Sequence, residues 1–125
     1  MPVVLLVGVQ EDLLAMYALA LLAAGFHPLT ATSAAEAFSR ACAFQPAVVV
    51  SDAELADESG VTLTRWLRAD LRTKDAVIVL LAGDTNITAR QAIGAGCDRV
   101  ALKPCPPDAL AAKIHTLLRN RPDSS

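Results

Sequence analysis

Hydrophobic positions along this chain fall into short unbroken runs, and the segments between the runs carry a helical repeat. The first run is "VVLLVG" (3–8), in which Val3 to Val7 are all aliphatic. The others are "FHPLTAT" (26–32), "PAVVVSD" (46–52), "AVIVLLAG" (76–83) and "RVALKP" (99–104). Apolar runs of this length without alternation predict five strands, most of them buried on both faces. Pro28 marks the second run as an edge strand, because proline cannot donate to a ladder.

Five helices are predicted between and after these strands. "EDLLAMYALALLAAG" (11–25) is closed by Gly25, a residue suited to the left-handed turn that ends helices. In "SAAEAFSRACAF" (33–44), Ser33 and Glu36 have capping-box spacing, and Phe38, Ala41 and Cys42 share one face. The polar loop "AELADESG" (53–60) leads into "VTLTRWLRADL" (61–71), with Leu63 and Leu67 turned inward. "TNITARQAIGAG" (85–96) has Asp84 and Thr85 as its expected cap. "PPDALAAKIHTLLRN" (106–120) places Leu110, Ile114, Leu117 and Leu118 at core spacing. Strands alternating with helices call for an α/β protein with a parallel sheet covered on both faces, a three-layer sandwich. One domain is expected over residues 1–120, with 121–125 as a polar tail or linker stub.

Composition narrows the function classes. Hydrophobic residues make up 54% of the 125, and aromatics only 4%, so aliphatic side chains and alanine must fill the core. A formal net charge of −2 gives no electrostatic footprint for nucleic acid, and no run of like charges suits a membrane surface. The longest apolar stretch, Leu13 to Phe26, is shorter than the roughly 20 residues that cross a bilayer. Cys42, Cys97 and Cys105 are odd in number and form no C-x-x-C pair, and no basic signal segment opens the chain. They read as reduced thiols of a cytoplasmic protein.

In open α/β sheets, functional groups gather at the carboxyl ends of the strands. The first strand ends in Gly8-Val9 and the third in Ser51-Asp52, followed by Ala53 and Glu54. The fourth ends in Leu81-Ala82-Gly83 and the fifth in Lys103-Pro104. One carboxylate and one ammonium therefore face a common crevice. They form either a structural ion pair or a nucleophile, Asp52, with its charge partner, Lys103. No G-x-G-x-x-G or G-x-x-x-x-G-K-[ST] follows the first strand, which excludes the usual nucleotide cradles.

Four stretches in order carry a resemblance that covers roughly residues 3 to 120. They are "PAVVVSD" with Gly60 beyond it, "AGCDRVALKP", "TSAAEAFSRACAFQP" and "PPDALAAKIHTLLR". With these the chain resembles the receiver domains of bacterial two-component response regulators. The resemblance implies a flavodoxin-like sheet of order 2-1-3-4-5 and a role in phosphorelay signalling, not an enzyme. It places Asp52 on the phospho-acceptor aspartate and Lys103 on the lysine that contacts the phosphoryl group. It also implies a cis bond between Lys103 and Pro104, and puts Glu54 where a backbone carbonyl helps hold Mg²⁺.

Four positions depart from the family's pattern. The acidic pair that supplies the other metal carboxylates is replaced by Gly8 and Val9, and Glu11 and Asp12 do not stand in for it. Leu81 takes the place of the switch hydroxyl, and Val100 that of the switch aromatic. Mg²⁺ needs several oxygen ligands in octahedral array, so metal binding is expected to be weak or absent, and no cofactor is expected. Without a metal to neutralise a transferring phosphoryl group, modification of Asp52 is expected to be slow or absent. With no cation other than Lys103 at hand, a direct contact of about 2.7–3.2 Å to Asp52 is expected.

Three functional classes fit these residues: a phosphorylation-independent interaction module, a working Asp52 phospho-acceptor, and a small-molecule-binding α/β domain. The first is favoured, with a histidine kinase or another signalling protein as partner. The expected contact surface, also suited to a homodimer, is the fourth helix, fifth strand and fifth helix. Its candidate residues are Arg90, Gln91, Asp98, Arg99, Lys113 and His115. Trp66 reads as packing at a helix edge rather than as a partner anchor.

Overall fold

The computed structural model describes residues 1–83 and 86–120. The expected cap at Asp84 and Thr85 and the tail at 121–125 lie outside the described residues. Strands β1 (Val3–Val7), β2 (His27–Ala31), β3 (Val48–Asp52), β4 (Val77–Ala82) and β5 (Arg99–Leu102) pair in parallel in the order β2-β1-β3-β4-β5. Helices α1 (Glu11–Ala23), α2 (Ala34–Phe44), α3 (Gly60–Ala69), α4 (Asn86–Ala95) and α5 (Pro107–Arg119) alternate with them. This is the doubly wound α/β sandwich, with the strand order, that was expected.

Why the strands are apolar throughout is visible in the two cores. Val4, Leu6, Val48, Val50, Val77, Val79 and Leu81 face α1 and α5, meeting Leu14, Leu21, Leu110 and Ile114. Their neighbours Leu5, Val7, Val49, Ile78 and Leu80 face the other way, onto Ala34, Ala37, Ala41, Leu63, Leu67 and Ala92. The period-2 side-chain alternation of β1, β3 and β4 thus feeds both layers, while the edge strands β2 and β5 also carry exposed positions. Leu63 and Leu67 point inward as read, and Phe38 packs at the rim of the second core. Leu117 and Leu118 are only partly buried at the rim of the first.

Element ends differ from the sequence reading in small ways that have local causes. α1 stops at Ala23, and Gly25 then takes a left-handed φ of 95°. At α2 the left-handed stop is Gln45 (φ 47°), for which no glycine signal exists. Ser33 caps α2 by accepting from the Glu36 N–H at 3.1 Å. Glu36 reaches back past the cap to the Thr32 N–H at 2.8 Å, rather than to Ser33 itself as a capping box would. α3 begins at Gly60, one residue earlier than expected, where Ser59 caps it. Gly60 is required there: a Cβ would collide with the Asp52 carbonyl oxygen.

Candidate functional site

The carboxyl ends of β1, β3, β4 and β5 converge on Asp52. Its carboxyl group lies on the α1/α5 side of the sheet, because it shares the parity of Val48 and Val50. Asp52 is buried, at 7% exposure, and Lys103 Nζ stands 3.0 Å from its Oδ1. The Lys103 stem is held by its own N–H, which donates to the Ala82 carbonyl at 2.8 Å. The Lys103–Pro104 bond is cis.

The other oxygen of Asp52 occupies the volume that a first-strand side chain would fill. A Cβ built on Gly8 would sit 2.7 Å from Oδ2 and 3.3 Å from Leu14 Cδ2. Gly8 is itself buried and donates to the Ala31 carbonyl at 3.1 Å, so the β1 end is fixed in place. Val9 turns outward, 51% exposed. Leu81 is the register partner of Asp52 on β4 and is buried in the α1/α5 core. Val100 pairs with Leu80 and packs at the rim of the opposite core. Asp52, Lys103, Gly8 and Leu81 are thus brought together, while Val9 and Val100 stand apart from the carboxylate.

The resemblance to receivers locates a metal site beside Asp52. It would need carboxylates at positions 8 and 9, and one is a glycine against Asp52 while the other is an outward valine. Among the described residues no cluster of three His, Cys, Asp or Glu side chains could hold an ion. Glu11 and Asp12 are exposed and line a separate open hollow of about 720 Å³ with Val9, Gln10, Leu13, Met16 and Thr32. Glu54 is exposed, its backbone bridged to Ser59.

Two residues that the sequence did not single out shape the site. Tyr17, buried on the inner face of α1, donates its O–H to the Cys105 carbonyl at 2.7 Å. It ties α1 to the loop that carries Lys103. Burial, with Cys105 nearby, pushes the Tyr17 phenol above its ordinary pKa. A lone tyrosine in an otherwise apolar helix was the available signal, since a buried phenol must find a partner. Asp57, from the loop after β3, accepts from the Ala34 and Ala35 N–H groups at 2.8 and 3.0 Å. Those two bonds at the start of α2 hold its carboxyl below the usual carboxylate range.

The expected contact surface is only partly assembled. Arg90, Gln91 and Arg99 are exposed. Arg99 and Lys113 border a shallow depression of about 340 Å³ with Ala109, Ala112 and Thr116. Asp98 is diverted: its Oδ2 accepts from Arg68 at 2.8 Å and from the Ile78 N–H at 2.7 Å, at the far end of the sheet. His115 is turned toward α1 rather than α4. Its Nε2 donates to the Ala24 carbonyl at 3.2 Å, and its ring lies 4.5 Å from that of Phe26.

The remaining residues are accounted for locally. Trp66 meets Phe38 edge-on at 5.9 Å over a groove between α2 and α3. All three cysteines are free and buried, and burial raises the Cys42 and Cys97 thiols. Among the described residues no helix is long and apolar enough to cross a membrane.

Comparison with known proteins matches this geometry. The family model described as response regulator receiver domain matches residues 4–115. The chain belongs to that family. It is 30% identical over 118 residues to the transcriptional regulatory protein GltR of Pseudomonas aeruginosa, covering 93% of this chain and 48% of GltR. It is 31% identical over 119 residues to the transcriptional regulatory protein KdpE of Mycobacterium tuberculosis, covering 95% and 52%. The chain therefore spans about half the length of the curated relatives it matches. The chemotaxis response regulator CheY4 of Vibrio cholerae shares the fold, with a TM-score of 0.87 at 22% identity over 94% of this chain and 98% of that one.

Proposed function

We propose that this receiver domain has lost the metal-dependent half of its phosphorylation site and acts through protein contacts instead. The observation that carries the reading is the fit of Asp52 into the space beside Gly8, with Lys103 on its other oxygen. A carboxylate so engaged is shielded as a nucleophile. Among the described residues Lys103 is the cation paired with it, and one ammonium does not supply the charge that a metal would bring to a transferring phosphoryl group. Leu81 offers no hydroxyl and Val100 no ring, so a phosphoryl group on Asp52 would make few contacts that favour one conformation over another. The partner is a histidine kinase or another cytoplasmic signalling protein. Its contact surface is the α4–β5–α5 face, where Arg90, Arg99 and Lys113 favour an acidic partner over a second copy of the same basic face.

A second reading, a working Asp52 phospho-acceptor, is favoured by the presence of both an aspartate and a lysine at the ends of β3 and β5. Treatment with a small acyl phosphate, with and without Mg²⁺, separates the two, with the phosphoryl adduct read by intact mass. The parent chain is expected to stay unmodified in both. The Gly8→Asp, Val9→Asp double variant is expected to bind Mg²⁺ more tightly and to gain a metal-dependent adduct. Stoichiometric Mg²⁺-dependent labelling of the parent at Asp52 would overturn the proposal.

A further inference from the structure

α1 is apolar all the way round. From Leu13 to Ala23 its only polar atom is the buried Tyr17 oxygen. Leu14, Tyr17 and Leu21 serve the core, which leaves a second apolar stripe facing outward. Leu19 is 69% exposed, Met16 55% and Leu22 53%, with Ala15 and Ala23 exposed beside them. At 3.6 residues per turn these five positions share about a third of the helix circumference, centred on Leu19. A helix without a polar face is ordinarily covered on every side.

The stripe is also symmetric. Counting outward from Leu19, Ala18 mirrors Ala20, Met16 mirrors Leu22, and Ala15 mirrors Ala23. A two-fold axis through Leu19 therefore places Met16 of one copy against Leu22 of the next, and alanine against alanine, where helices can approach closely. Self-complementarity about a two-fold is what an isologous interface requires.

Charge selects the direction. Glu11 and Asp12, both exposed, stand at the start of α1, and the helix has no acid elsewhere. Parallel pairing would set these carboxylates against their own copies. Antiparallel pairing keeps the two acidic starts apart, at opposite ends of the helix pair, beside partner helix ends that carry no acid.

We infer that the outward stripe of α1 is a self-association surface that takes a second copy of this chain, antiparallel across Leu19. One helix stripe buries less than the roughly 800 Å² per partner of a lasting complex, so the dimer is weak and concentration-dependent. The surface is on α1, on the outward side of a helix that is not part of the basic α4–β5–α5 face, and the inference does not rest on the proposed function.

Sedimentation velocity from micromolar to millimolar concentration tests it. The parent is expected to move from monomer toward dimer, while Leu19→Glu stays monomeric with an unchanged melting temperature. Leu102→Glu, at an exposed apolar position of β5, is expected to dimerise like the parent. Under mild oxidation, Met16→Cys mixed with Leu22→Cys is expected to cross-link far more than either alone, the three native thiols being buried. A parent that remains monomeric at millimolar concentration overturns the inference and leaves the stripe to a different protein. So does a Leu19→Glu protein that dimerises normally, or Met16→Cys that cross-links best to itself.

Discussion

Asp52 keeps its buried carboxylate by dividing it between two neighbours, with Lys103 on one oxygen and the empty volume of Gly8 beside the other. A desolvated carboxylate without a partner is costly. Lys103 is nevertheless 42% exposed, so water screens much of the attraction. Lys103→Ala is expected to cost about 1–2 kcal/mol at neutral pH, read as a lower urea midpoint with unchanged slope. A variant as stable as the parent would mean that the pair does not hold the site. Asp52 and Lys103 were legible in the sequence because each ends a strand, and a short apolar run fixes where a strand ends. The role of Gly8 was legible only as a missing acid. That its emptiness is filled by Asp52 is a three-dimensional fact, set by how closely β1 and β3 lie.

At the scale of elements, the loop after β3 is fastened to α2 rather than left free near the site. Asp57 caps the first turn of α2 from a distance of over twenty residues, while Ser33 and Glu36 cap it locally. The local pair was visible as a spacing; the distant acid was not, because no periodicity links a loop to another helix's first N–H groups. The Asp57 carboxyl is held below its ordinary value, so its contribution to stability is complete above the unfolded value of about 3.9. That contribution is lost as the pH falls through the lower, folded value. Asp57→Ala is expected to lower the melting temperature at pH 7 and to weaken the acid dependence of stability below pH 4. Thermal scans across pH check this; a parallel offset at every pH would show that the charge on Asp57 is irrelevant to the cap.

The whole molecule has its chemistry at one end of the sheet and its main polar fastening at the other. The alternation of strands and helices made the layered architecture readable, since each apolar run had to be a strand serving two cores. Arg68 was not readable: on sequence alone it is one more charge in the last turn of α3. In the fold its guanidinium donates to the carbonyls of Gly96, Lys74 and Ala76, and to Asp98 at 2.8 Å. It thereby joins α3, the turn before β4, and the loop between α4 and β5. Asp98 in turn accepts from the Ile78 N–H, extending the network into β4. Only a planar fork with several donors can serve these acceptors together, and an ammonium cannot. Removing it takes this donor from the Gly96 and Ala76 carbonyls, which are partly shielded from water, and breaks the ion pair with Asp98. Arg68→Ala and Arg68→Lys are both expected to lower unfolding stability by about 2–3 kcal/mol, with lysine recovering little. Because this network lies far from Asp52, the Lys103 contact should persist in both variants, and the cost should add to that of Lys103→Ala within about 0.5 kcal/mol. Urea unfolding of the two single variants and the Arg68→Lys, Lys103→Ala double variant measures this. A coupling well above that margin would mean that the two ends of the sheet are not independent.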